Sequence, residues 1–172
     1  MSKHPPIQIV DENDKPVRGA GMDETYKKGL IHRVVHIFVE DPDGRVLLQK
    51  RSASVATFQN CWDVSAAGHV DEGESYETAA FRELQEELGI SGYELQEIDS
   101  FYKEITLGER RINRFVKVYK TVISPNTPLK PNPDEVTEVR WFDKEALRKL
   151  LAEAPDSLSQ GMDDYFKQFN YI

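Results

Sequence analysis

The chain has 172 residues, 39% of them hydrophobic and 30% charged, which suits one soluble globular domain (residues 1–172) around a single core. Its net charge of −8, from 30 acidic and 22 basic residues, repels a nucleic-acid duplex on average while leaving room for a local phosphate site. No stretch approaches the ~20 apolar residues of a membrane helix. The N-terminal residues 1–6 lack the apolar run of a secretory signal, and Cys61, the only cysteine, cannot form an internal disulfide. A cytoplasmic protein is expected.

Residues 1–30 form an N-terminal extension in which 7–11 read as a short strand, followed by a turn at Asn13-Asp14-Lys15-Pro16. His4 is expected to be disordered. Residues 23–28 suit one or two helical turns stopped by Gly29. Residues 33–39 are β-branched and apolar on both faces, the pattern of a buried central strand, with His36 a structural residue within it. The turn Asp41-Pro42-Asp43-Gly44 then returns residues 45–51 as a hairpin partner. A short strand is expected at 62–66 and the clearest helix of the chain at 75–88, with Ser75 as N-cap and Gly89 after its last turn. Strands follow at 95–107, 112–123 and 136–142, with a loop marked by Pro125, Pro128, Pro131 and Pro133 between the last two. Residues 144–152 and 156–169 read as closing helices. The expected architecture is α/β (or α+β), a sandwich of helices on a mixed sheet.

Glu83, Glu86 and Glu87 stand at i, i+3 and i+4 of the central helix. At ~100° per residue they project within about one quarter-turn, where like charges repel. A solvated face is the ordinary reading of such a cluster. However, Tyr76, Ala79, Ala80, Leu84 and Leu88 define the apolar face, and Glu83 and Glu87 fall inside its arc. Carboxylates turned toward the protein body are costly unless paired. A hard divalent cation, magnesium or manganese, would relieve both the repulsion and the desolvation.

Gly68, five residues, Glu74, seven residues, then Arg82-Glu83-Leu84-Gln85-Glu86-Glu87-Leu88-Gly89-Ile90 matches the Nudix box at every specified position. Chance would produce it on the order of once in ten million such chains. The chain therefore resembles the Nudix superfamily through residues 68–90, and the order of its elements resembles the Nudix fold, an α/β/α sandwich with a mixed sheet. The resemblance implies metal-dependent hydrolysis of a diphosphate linkage in a nucleoside diphosphate derivative or similar small molecule. It implies Glu83, Glu86 and Glu87 as metal ligands, with the backbone carbonyl of Gly68. Arg82 would orient a neighbouring carboxylate, and Glu74 would be a structural salt-bridge partner. The general base is Glu83 or an acidic residue before Trp141-Phe142, with Glu135 preferred to Glu138.

A second resemblance is to isopentenyl-diphosphate isomerase, which has the Nudix fold. It rests on Leu30-Ile31-His32-Arg33, Leu47-Leu48-Gln49-Lys50-Arg51-Ser52 and Ala67-Gly68-His69. His32 and His69 match two of its metal histidines. Its catalytic cysteine falls on Ala67, another metal histidine near Thr25, and its Glu-x-Glu pair near Ile112 and Arg114. Alanine moves no proton, so a hydrolase from the isomerase-like branch is expected. Isomerisation and a catalytically silent nucleotide-binding module are the alternatives. His32 and His69 are then packed remnants or contacts to substrate phosphate. Lys50 and Arg51 alternate faces, so at most one points inward, and Arg51 is the candidate phosphate contact. Phe58, Trp62 and Tyr102 would stack on a base or line the core, and Cys61 reads as a small buried residue. A homodimer through the N-terminal segment or the last helix is a possible assembly.

Overall fold

The computed structural model describes residues 5–172; His4 lies outside the described residues. The chain gathers into two compact units, each built from separate stretches of sequence.

The first unit runs through His36 and adds Ala67–Arg82 and Gln96–Tyr119. Strands β1 (Ile7–Val10) and β2 (Pro16–Ala20) form an antiparallel hairpin with Ile7 opposite Ala20 and a register shift between Ile9 and Val10. Asp11 closes its turn by accepting the backbone N–H groups of Asn13 and Lys15, both at 2.9 Å. The sequence pattern missed β2, which holds a proline and a glycine and whose first three residues are exposed. Helix α1 (Met22–Lys28) ends at Gly29, whose φ of 63° is the left-handed conformation that lets a helix stop. Strand β3 (Ile31–Glu40) begins here and pairs with β1 at Ile9 and His32. Strand β6 (Ala66–His69) pairs with β3, and so does β8 (Arg110–Val122), which also pairs with the long β7 (Gln96–Leu107).

The second unit holds Ile37–Ala66, Glu83–Leu95 and Lys120–Ile172. The end of β3 pairs antiparallel with β4 (Val46–Arg51), which lies between the two-residue β5 (Trp62–Asp63) and β9 (Val136–Phe142). Fully buried Phe38 meets Tyr165, Phe169 and Tyr171 at ring distances of 5.6, 5.6 and 5.2 Å. Helix α3 (Lys144–Glu153) is capped by Asp143, which accepts the Ala146 N–H at 2.8 Å. The last helix is shorter than its sequence suggests. Pro155–Ser157 make a 3-10 turn, and α4 (Met162–Gln168) starts only after Gly161, whose φ of 90° interrupts the helix.

Helix α2 (Tyr76–Leu88) contributes residues to both units, as do β3 and β8. Its N-terminus is capped by Ser75, whose Oγ accepts the Thr78 N–H at 3.1 Å. Its C-terminus stops at Gly89, φ 71°, whose N–H reaches the Gln85 carbonyl at 3.1 Å. The Pro-rich loop satisfies two further end carbonyls of the helix. Lys130 N–H donates to Leu88 O at 2.8 Å and Asn132 N–H to Glu87 O at 2.9 Å. A Cβ on Gly89 would stand 2.9 Å from the Lys130 Cβ, so the close approach of this loop requires glycine.

Candidate active site

Helix α2 carries its polar chemistry on its inner face. Tyr76, Ala79, Ala80, Glu83, Leu84, Glu87 and Leu88 are all buried, at helical spacing, while Glu86 is exposed. Glu83 is 8% exposed and Glu87 3%. Glu87 accepts a 2.7 Å hydrogen bond from the Nε2 of Gln49, itself buried on β4. Sequence reasoning overlooked Gln49. The available signal was an amide in line with the buried run Val46-Leu47-Leu48, where a polar side chain needs a partner.

One turn earlier, Arg82 is clamped from several sides. Its Nε and Nη2 donate to the two carboxylate oxygens of Glu74 at 3.0 and 2.9 Å, a bidentate pair, and Nη2 also donates to the His69 carbonyl at 2.9 Å. Glu74 in turn accepts the Asp71 N–H at 3.0 Å. This ties the loop after β6 to the middle of α2.

In the Pro-rich loop, Glu135 is exposed and accepts the Nδ2 of Asn132 at 2.9 Å. Glu138, half-buried on β9, pairs with Arg140. Arg51 is held by Asp63 at 3.3 Å and by the Thr57 carbonyl at 3.0 Å. Lys50 lies over the Trp62 ring at 5.9 Å. Trp62 is a core residue packed edge-on against Phe142 at 5.1 Å, Phe58 is half-buried, and Tyr102 is exposed beside Phe115 at 5.0 Å. Cys61 is half-buried rather than fully enclosed, and burial pushes its thiol up.

His32 and His69 come together in the first unit. Their rings stand 5.4 Å apart, and Tyr26 packs edge-on against both, its hydroxyl 2.7 Å from His69 Nε2. His32 has no exposed surface. Burial, with the Arg114 charge acting in the same direction, lowers its pKa to about 4, so the ring is neutral at pH 7. Gly68 and Ala67 are half-buried on β6. Thr25 is buried in α1, bonded to the Gly21 carbonyl, and Ile112 is buried on β8.

Glu83, Glu86 and Glu87 supply the oxygen donors that suit a hard divalent cation. Among the described residues, no three His, Cys, Asp or Glu side chains are grouped so that they could hold an ion. The three glutamates share one helix at i, i+3 and i+4, the spacing that brings side chains to neighbouring positions on a helix.

The family model of the NUDIX domain matches residues 30–165. Isopentenyl-diphosphate Delta-isomerase 2 of Photorhabdus laumondii is 36% identical over 152 residues, 87% of this chain and 84% of that protein. An uncharacterized Nudix hydrolase of Pseudomonas aeruginosa is 34% identical over 155 residues, 88% of each chain. A crystal structure of a Deinococcus radiodurans protein covers 94% of this chain and 97% of its own, with a TM-score of 0.75 and 24% identity, a likeness of fold.

Proposed function

The chain belongs to the Nudix family and has its α/β fold with a mixed sheet, and we propose that it hydrolyses a diphosphate linkage in a small molecule such as a nucleoside diphosphate derivative. The observation that carries this reading is the burial of Glu83 and Glu87 on α2, with Gln49 bonded to one of them. A helix whose only task was packing would place apolar residues at those positions, because a buried carboxylate is expensive.

Glu83, Glu86 and Glu87, with the backbone carbonyl of Gly68, are the proposed ligands of magnesium, with manganese able to substitute. The ion would neutralise charge on the diphosphate and make an attacking water more acidic. Gln49 orients the Glu87 carboxylate, and Arg82, through Glu74, ties the loop after β6 to the helix. Glu135 is the proposed general base in preference to Glu138, whose carboxylate is engaged by Arg140. Arg51, held by Asp63 on one side, is the proposed phosphate contact. The single half-buried cysteine suits a cytoplasmic setting.

The isomerase relatives support a second reading, a shift of a double bond in a diphosphate ester. Such a shift needs a proton donor on one face of the alkene and an acceptor on the other. This chain has Ala67 where the isomerase pattern has its cysteine, and Ile112 and Arg114 near its glutamates, so hydrolysis is preferred.

The test is phosphate release, with a coupling pyrophosphatase, from a panel of diphosphate metabolites with magnesium or manganese. Wild type is compared with Glu86→Gln, which keeps the shape of the side chain. Turnover that falls on the order of 100- to 1000-fold in the variant is the expected result. Turnover unchanged by the substitution overturns the assignment of the helix.

A further inference from the structure

His32 is fully buried, yet its Nε2 has no hydrogen-bond partner, and the Nε of Arg114 is likewise buried without one. Buried polar atoms left in this way are rare and ask for a ligand. The character of each atom is fixed by its surroundings. His32 Nδ1 lies 3.0 Å from the Leu30 carbonyl, which can only accept, so the ring hydrogen sits on Nδ1 and Nε2 presents a bare lone pair. Arg114 Nε can only donate.

The rings beside His32 are aromatic, with a cation over one of them. Tyr26 and His69 flank His32, and Arg110 lies 5.8 Å over the Tyr26 ring. Arg114 lies on β8, which pairs with β3, the strand that bears His32. The strand bearing Arg114 is fixed by its neighbour Asn113, whose Nδ2 donates to the Gly29 carbonyl at 2.9 Å. The arrangement therefore exists before any ligand arrives, and its charge favours an anion.

An anion that can only accept hydrogen bonds would meet the Arg114 N–H but leave the lone pair of His32 facing negative charge. A phosphoryl group that keeps one proton meets both needs. Its P–O–H donates to His32 Nε2, and a second oxygen accepts from Arg114 Nε. We propose that Tyr26, His32, His69 and Arg114 enclose a binding site for a singly protonated phosphoryl group, selected over fully ionised oxyanions by the bare nitrogen of His32. The chain thus has an anion site where the isomerase pattern places metal ligands, with an arginine near the position of a carboxylate.

Calorimetric titration with inorganic phosphate and with sulfate, at pH 7 and with EDTA present, tests this. Sulfate has the same size and shape but carries no proton at that pH. Phosphate is expected to bind at least tenfold more tightly than sulfate, and Arg114→Met, which removes the donor to the anion, to weaken phosphate binding at least tenfold. The phosphate-to-sulfate ratio is read on wild type, so the test survives a variant that folds poorly. Equal binding of the two anions overturns the proposal, since charge alone would then act. Binding of neither overturns it in favour of a bridging water, and phosphate binding undiminished in a folded Arg114→Met places the site elsewhere. With no metal and no turnover in the assay, this outcome is independent of the hydrolase reading.

Discussion

Two groups of buried and half-buried polar side chains differ in how their hydrogen-bonding capacity is met. Along α2, Arg82 is held by Glu74 and the His69 carbonyl, and Glu87 by Gln49. In the cluster that includes Tyr26 of α1, Tyr26 meets His69, but one nitrogen of His32 and one of Arg114 meet nothing. Partners within the chain hold side chains in one geometry, and unmet groups reserve their capacity for something that binds. The first arrangement builds a scaffold and the second offers a site.

The largest test of that contrast is the acid limb of stability. His32 titrates at about 4 in the folded chain against 6.5 for an ordinary histidine. Between these values the unfolded chain binds more protons, so stability is fully present above 6.5 and falls as the pH drops toward 4. Urea unfolding is expected to lose about 3 kcal/mol between pH 7 and 4 from this group, and His32→Gln to lack that component. The same acid limb in both proteins would show that His32 is not held neutral by burial. Next comes Arg82→Met, which leaves Glu74, 12% exposed at its side chain, without its bidentate partner. A loss of about 2 kcal/mol is expected, discounted because Arg82 itself is 25% exposed. An unchanged urea midpoint would mean that the clamp is decorative. The smallest effect is expected from Gln49→Leu, about 1.5 kcal/mol, since it removes one donor from the buried Glu87. Stabilisation by this substitution would break the comparison, because Gln49 would then be no part of a satisfied scaffold.

Much of the fold could be read from local pattern. The expected strand 136–142 coincides with β9, and Ser75 and Gly89 bound α2 where their chemistry suggests. Where tertiary contacts decide, the pattern fell short. β2 contains Gly19, whose N–H donates to Glu72 Oε1 at 2.7 Å across a large sequence separation. A Cβ there would meet the same carboxylate and stand 2.8 Å from the Cβ of Pro6, which no strand propensity encodes. The predicted helix at 156–169 ran through Gly161, whose backbone conformation breaks it. The sequence marks Arg51 as a candidate phosphate contact but not its partners, Thr57 within the loop after β4 and Asp63 beyond it, because the path of that loop is not periodic.

The sequence by itself determined the family and the helical phase of the three glutamates, because 3.6 residues per turn converts spacing directly into direction. It also determined that Ala67 cannot take the isomerase's proton-transfer role. Only the tertiary structure decided that Gln49 is the partner of Glu87, and that His32 and Arg114 each keep a buried nitrogen without a partner. Hydrogen-bond satisfaction is a property of neighbours in space. Those neighbours come from strands and helices far apart in the chain, whose meeting no local period records.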